Sequence, residues 1–292
     1  MGAFIQSFSL LLIFLLWVGI RPALAGNTQV TWHGHSAFEI VTPLGNVLMI
    51  DPWLKNSANP KVQDNKDPIA AVKKLDYILL THGHFDHVGN SVELARKTGA
   101  RLVTNFELGA NIAKLLGYPK KQMGFDSLMN IGGEISIAAD EVTVALTPAV
   151  HSSGMRNPKA GENDPDIVYG GNPAGIILKI KDGPTIYHTG DTAYFQDMKL
   201  IGETYHPDLA LINIGGHFGM EPDMAAKAAR AVQAKIFVPH HFGTFPVLNA
   251  STKGFAKTLQ KMGLRFLEMR PGSTIIFKGN QLLPQATPHG GG

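Results

Sequence analysis

The sequence predicts an α/β fold built in layers, and three observations predict it. Strand-like runs rich in β-branched and aromatic residues alternate with helical patterns along most of the 292 residues. The run DYILLT, Asp76 to Thr81, is nearly continuous in apolar residues, as a strand covered on both faces must be. Beyond residue 25 no linker composition divides the chain, which therefore reads as one domain over residues 26–292.

The chain opens on SLLLIFLLWVGI (Ser9 to Ile20) and then ALA at Ala23 to Ala25. An apolar stretch before a small-residue cleavage site reads as an export signal, residues 1–25, cut between Ala25 and Gly26. The run is short for a bilayer span of about 20 residues. The n-region, MGAFIQSFS, departs from the usual pattern in carrying no Lys or Arg. The expectation is an exported protein, periplasmic or secreted, with no stable membrane span once the signal is removed.

Three short strands follow, TQVTWHG, AFEIVT and NVLMID, set apart by Gly and Pro turns. Pro52 to Pro68 is rich in Pro, Asn and Lys and reads as a surface loop. After DYILLT, the segment GNSVELARKTGA predicts a helix stopped at Gly99, RLVTN a strand, and FELGANIAKLLG a helix closed by Gly117. EISIA and VTVALTPAV are strands leading to His151. The polar, Gly/Pro-rich stretch from Ser152 to Asn172 is long for a loop in a compact domain, and such loops are usually functional or disordered. The second half repeats the rhythm: strands AGIILKI and TIYHTGD, helix FQDMKLIGETY, strand DLALINIGG, helix PDMAAKAARAVQ, strand KIFVPHHFG, helix KGFAKTLQKMG and strand STIIFKG. The tail PQATPHGGG reads as disordered.

Composition narrows the function. An apolar share of 44% supplies ample core, and a net charge of +3 without any basic block argues against a nucleic-acid partner. A small-molecule substrate is the expected partner, with self-association into a homo-oligomer left open. The chain has no cysteine, which excludes disulfides, thiolate catalysis and Cys-ligated zinc together. Any metal must be held by His and carboxylate.

Such residues recur at predicted strand ends: His82, His84, Asp86 and His87 after YILL, His151 after VALTPAV, Asp191 after TIYHTG, and His240/His241 after KIFVP. Strand ends on one edge of an α/β sheet meet at a common crevice. His82 and His84 are two apart, so in an extended segment both imidazoles point the same way and can grip one ion. Asp86 and His87 follow as the chain turns, and can face a second ion beside the first. In the tandem pair His240/His241 alternation sends the two rings to opposite faces, so one of them is the ligand, and alternation alone does not say which.

The segment THGHFDH resembles the HxHxDH signature of the metallo-β-lactamase superfamily. WHGHSAFEI, IDPWL, YHTGDT, DMKLIGETYHPDLALINIGG and VPHHFGTFP, in that order from Trp32 to Pro246, are similar to a branch of small metal-dependent hydrolases that includes ascorbate-6-phosphate lactonase and N-acyl-phosphatidylethanolamine phospholipase D. The resemblance implies a four-layer αββα sandwich and a dinuclear site holding two divalent ions, Zn2+ first, with Mn2+ or Fe2+ as alternatives. By position it assigns His82, His84 and His151 to one metal, Asp86, His87 and His241 to the other, and Asp191 as bridge. It implies hydrolysis of an ester-like bond (lactone, phosphodiester or amide) by a metal-bridging hydroxide, which Asp86 also orients. The chain departs from the family pattern in Ala37, where Cys often stands, and Gly219, where Thr is common.

His35 in GHS is expected to hydrogen-bond a metal ligand or the substrate, Asp51 in IDPW to orient a ligand histidine, and His217 to donate to a substrate oxyanion. His188 reads as a buried, satisfied histidine. Two other functions fit the same sequence: an iron-dependent redox enzyme of the same fold, and a non-catalytic metal-binding protein.

Overall fold

The computed structural model describes residues 26–284. The predicted export signal, residues 1–25, and the tail from residue 285 lie outside the described residues.

In chain order the strands are β1 (Thr28–Trp32), β2 (Phe38–Val41), β3 (Val47–Ile50), β4 (Tyr77–Leu79), β5 (Arg101–Asn105), β6 (Leu128–Met129), β7 (Glu134–Ile137), β8 (Val142–Pro148), β9 (Gly154–Arg156), β10 (Ile167–Tyr169), β11 (Ala174–Ile180), β12 (Thr185–His188), β13 (Leu209–Asn213), β14 (Ile236–His240), β15 (Thr274–Lys278) and β16 (Gln281–Leu282). The helices are α1 (Pro60–Gln63), α2 (Pro68–Ala71), α3 (Phe85–Val88), α4 (Ser91–Thr98), α5 (Phe106–Asn111), α6 (Met198–Tyr205), α7 (Pro222–Val232) and α8 (Lys253–Lys261).

Two sheets carry the fold. One has the order β16-β15-β1-β2-β3-β4-β5-β6, with β3 to β6 parallel; the other has the order β14-β13-β12-β11-β8-β7, with β12 to β14 parallel. Their inner faces share one apolar core, where Val30, Leu48, Ile50 and Leu79 meet Val144, Ile176, Leu211 and Val238. Strand alternation sends the remaining side chains outward. Met49 and Ile78 pack on Ile69 and Leu94 of α2 and α4. Ala210, Ile212 and Phe237 pack on Ile201, Ala225 and Phe255 of α6, α7 and α8. The layers run helix, sheet, sheet, helix: the αββα sandwich.

Three local features differ from the sequence reading. The Pro52–Pro68 loop contains α1 and leads into α2, because Asn59 and Asp67 each accept a hydrogen bond from the backbone N–H two residues on while Pro60 and Pro68 occupy the first helical position. It is also anchored inward, with Leu54, Asn56 and Asn59 buried. The stretch from Ser152 to Asn172 is ordered around the antiparallel ribbon β9–β10. The helix from Phe106 changes to π-helical hydrogen bonding over Ile112–Leu116 before Gly117 ends it in the left-handed conformation at φ 77°.

Helix α7 lies between α6 and α8. A Cβ on Gly202 of α6 would sit 2.2 Å from the carbonyl oxygen of Val232, so only glycine allows that approach.

Candidate metal centre

The site forms beyond the ends of β4, β12 and β14, which have parallel partners, and of β8, whose partners are antiparallel. Beyond β4 the chain bends at Thr81 and Gly83, and His84 stands at the N-cap position of α3, whose first turn carries Asp86 and His87. Gly83 lets the ribbon close in: a Cβ there would stand 3.2 Å from Ser153 O and 3.3 Å from Met155 Cβ. From the other sheet, His151 follows β8, Asp191 follows β12 and His241 follows β14.

The structure gathers these residues. His82 Nε2 and His84 Nδ1 are 2.9 Å apart, and the His151 ring lies 5.2 and 5.1 Å from theirs. One nitrogen from each of the three falls within 4.8 Å of the others. A second group at the same mutual reach joins His35, Asp86, His87 and His241, and a third joins His82, His87 and Asp191. Asp191 stands between the halves, its Oδ2 at 2.9 Å from His241 Nε2, 3.3 Å from His87 Nε2 and 3.8 Å from His151 Nε2.

Of the tandem histidines, His241 turns into this cluster, with left-handed backbone at φ 59°. His240 stays in β14, its ring 4.4 Å from that of His188 and its Nδ1 3.2 Å from Ser36 Oγ. His188 donates from Nε2 to Ser36 O and accepts from Gly190 N–H at Nδ1, a fully satisfied buried imidazole.

Asp51 accepts from Thr81 N–H at 2.9 Å, from Thr81 Oγ1 at 2.6 Å and from His87 Nδ1 at 2.7 Å. The last bond fixes the His87 ring and turns its Nε2 toward Asp191. His35 donates from Nε2 to Asp86 Oδ2 at 3.0 Å while Nδ1 accepts from Thr244 Oγ1 at 2.6 Å. Both of its nitrogens are committed, so it positions Asp86. His217 is not brought in: it is exposed, outside the cavity lining, with its ring against Phe218. Sequence reasoning passed over Thr81, although it directly precedes the HxHxDH signature. Its hydroxyl also meets His82 Nδ1 at 3.0 Å, so one side chain serves two histidines and Asp51.

Electrostatically the two halves differ. Burial, then the neighbouring His87, holds His82 well below the ordinary histidine range, and burial lowers His84 and His151 too. All three are neutral imidazoles with lone pairs to offer. Burial also presses on His87 and His241, but Asp191 with Asp51 holds His87 well above its ordinary value, and Asp191 with Asp86 raises His241 to about 9. Asp191 and Asp86 stay ionised, because the surrounding imidazoles outweigh their burial. The cluster fits a cation: Asp191 Oδ2 stands beside His87 Nε2 and His241 Nε2, yet these two buried nitrogens and Asp191 Oδ1 have no partner in hydrogen-bonding geometry. Buried polar atoms are seldom left so.

The site opens into a cavity of about 610 Å³, lined by His84, Asp86, His151, Asp191 and His241 together with Phe85, Ser152, Phe218, Phe245, Pro246 and Val247. Of the Ser152–Asn172 stretch only Ser152 lines it.

The beta-lactamase superfamily domain matches residues 46–242, a span that contains every residue of the cluster except His35. The chain belongs to the beta-lactamase superfamily. Superfamily relatives extend the likeness beyond that span. A UPF0173 metal-dependent hydrolase of Thermodesulfovibrio yellowstonii is 46% identical over 267 residues, covering 90% of this chain and 98% of its own. Another from Anaeromyxobacter dehalogenans is 48% identical over 259 residues, covering 87% and 89%. Among solved structures, the metallo hydrolase Igni18 of Ignicoccus hospitalis superposes with a TM-score of 0.71 at 33% identity, over 86% of this chain and 98% of that one. The chain thus takes its place among the metal-dependent hydrolases of the superfamily and shares the metallo-β-lactamase fold.

Proposed function

We propose that this protein is a dinuclear metal-dependent hydrolase acting outside the cytoplasm on an ester-like bond, whether lactone, phosphodiester or amide. The observation that carries the reading is the convergence of seven residues from two sheets, with three buried ligand atoms left without partners. His82, His84 and His151 would hold one ion, Asp86, His87 and His241 the other, and Asp191 both. An all imidazole and carboxylate donor set suits Zn2+, and Mn2+ or Fe2+ are the alternatives. The location rests on the signal-like segment ending at Ala25.

When bound, such ions supply an acidified water and polarise the oxygen of the scissile bond. The chain supplies the rest. Asp51 and Thr81 set the His87 and His82 rings. His35 holds the Asp86 carboxylate at the cavity floor, where it can accept a hydrogen bond from the attacking water and aim it.

The test is elemental analysis of purified protein alongside a panel of lactones, phosphodiesters and β-lactams. His84→Ala should lose most bound metal and most hydrolysis; retention of both would refute the assignment.

A further inference from the structure

The cavity is polar at its floor and apolar at its walls, which are Phe85, Phe218, Phe245, Pro246 and Val247. Phe85, Phe218 and Val247 are 64%, 56% and 53% exposed. Single exposed apolar residues are ordinary on a protein surface, but these converge on one opening. Part of the wall is also built rigidly. Trp53 stacks on Phe245 with ring centroids 5.4 Å apart and meets Phe85 at 5.9 Å, while Phe85 and Phe245 are 6.2 Å apart. The edge-on contact of His35 with Trp53, at 5.0 Å and 89°, braces the group from behind. The histidine that holds Asp86 therefore also holds the aromatic wall. Among the described residues lining the cavity there is no lysine or arginine. A phosphate, sulfate or carboxylate carried on the substrate would be desolvated against phenyl rings with no cationic side chain to meet it.

We infer that this wall is the subsite for the apolar part of an uncharged carboxylic ester or lactone, an acyl or aryl group lying against Phe85 and Phe245 while the carbonyl sits over the histidine cluster. The assignment rests on the hydrolytic reading and narrows it. In the reaction the water oxygen bonds to the acyl carbon and the acyl C–O bond breaks. One water proton goes to the departing alkoxide oxygen, giving acid plus alcohol, or a hydroxy acid from a lactone. Nothing is oxidised or reduced.

Zinc-loaded full-length protein is assayed with p-nitrophenyl acetate, butyrate and octanoate, and with bis(p-nitrophenyl) phosphate as the anionic comparator. The expected result is a kcat/KM that rises from acetate to octanoate by roughly tenfold or more, the scale of methylene discrimination in an apolar pocket. The gain should lie mainly in KM. Phe85→Ser and Phe245→Ser should each lower the octanoate-to-acetate ratio by roughly tenfold, with bound zinc retained on elemental analysis. Phe85 is exposed, so its substitution leaves the core intact. A level or falling profile, faster cleavage of the phosphodiester than of octanoate, or an unchanged ratio in both variants overturns the subsite. Acetate hydrolysis with a level profile overturns it alone, whereas no hydrolysis of any of the four by zinc-loaded protein overturns the hydrolytic reading with it.

Discussion

His240 and His241 are adjacent and both buried, yet they have different surroundings. His240 lies against His188 and Phe38, with Ser36 Oγ 3.2 Å from its Nδ1, while His241 Nε2 is 2.9 Å from Asp191 Oδ2. His241→Ala should lower bound metal and reduce activity by roughly 10–100-fold or more, the scale on which loss of even a partner of a metal ligand acts. His240→Ala should keep most of the metal and show chiefly a lower Tm, since it opens a cavity between the sheets. Metal content and kcat/KM measured on both variants decide the matter; the reverse order would assign the wrong twin. At this scale the sequence spoke clearly where chemistry is local. The HxHxDH spacing marked four of the cluster's residues, and Asp51 stood out beside Pro52. His217 stands apart from the cluster, because a strand end says where a residue starts but not where a following Gly-rich turn aims it. Thr81 went unnoticed because a hydroxyl before a histidine carries no signal until its partners, Asp51 above all, are seen in space.

Elements were legible in proportion to how far local pattern decides them. The apolar runs of β4, β8, β11 and β13 and the periodic faces of α4, α7 and α8 are self-declaring. The ribbon β9–β10 is not, since its place is set by distant groups: Gly83 N–H donates to Ser153 Oγ, which in turn donates to Gly170 O, and Asn111 Nδ2 donates to Tyr169 O. Similarly α1 and α2 are single turns whose Asn-Pro and Asp-Pro starts were present in the sequence but too short for a periodicity to register. The packing of α6 on α7 yields a prediction at this scale. Gly202→Ala would drive a methyl group to 2.2 Å from Val232 O, so the helices must separate. Overpacking of this kind costs about 1–3 kcal/mol, offset only slightly by alanine's better helix propensity. A lower urea midpoint with unchanged metal content is the expected outcome, and a midpoint equal to that of the wild type would mean the helix pair yields freely.

For the whole molecule, the buried histidines make stability depend on pH. Burial pushes His188 down to about 4 and lowers His82, His84, His151 and His240 as well. In the unfolded chain each titrates near 6.5. Between those values the unfolded state binds more protons than the folded one, so stability present above about 6.5 is lost as pH falls through about 4. His241, raised to about 9 without an ion, has the opposite sign: its contribution is full below about 6.5 and fades as pH rises through 9. Chelator-treated protein should therefore melt at falling Tm as buffers go from about pH 6.5 toward 4, and His188→Gln should flatten that slope. A flat profile in the wild type would contradict the stated burial. The layered α/β class followed from element order alone, but which strand borders which did not. The placement of β15 beside β1 joins segments more than 240 residues apart, for which no local pattern exists.

The cluster takes His82, His84, Asp86 and His87 from one half of the sandwich and His151, Asp191 and His241 from the other. The two proposed ions would each take ligands from both halves, and so would be clasps pinning the halves together, besides being reagents. The clasps also have a closing order written into the chain: a growing polypeptide exposes its first hooks at residue 82 and its last only after 241. A fragment stopped short of β14 would lack His241 alone of the seven hooks, so one grip would be whole and the other left to Asp191 for its tie to the far sheet.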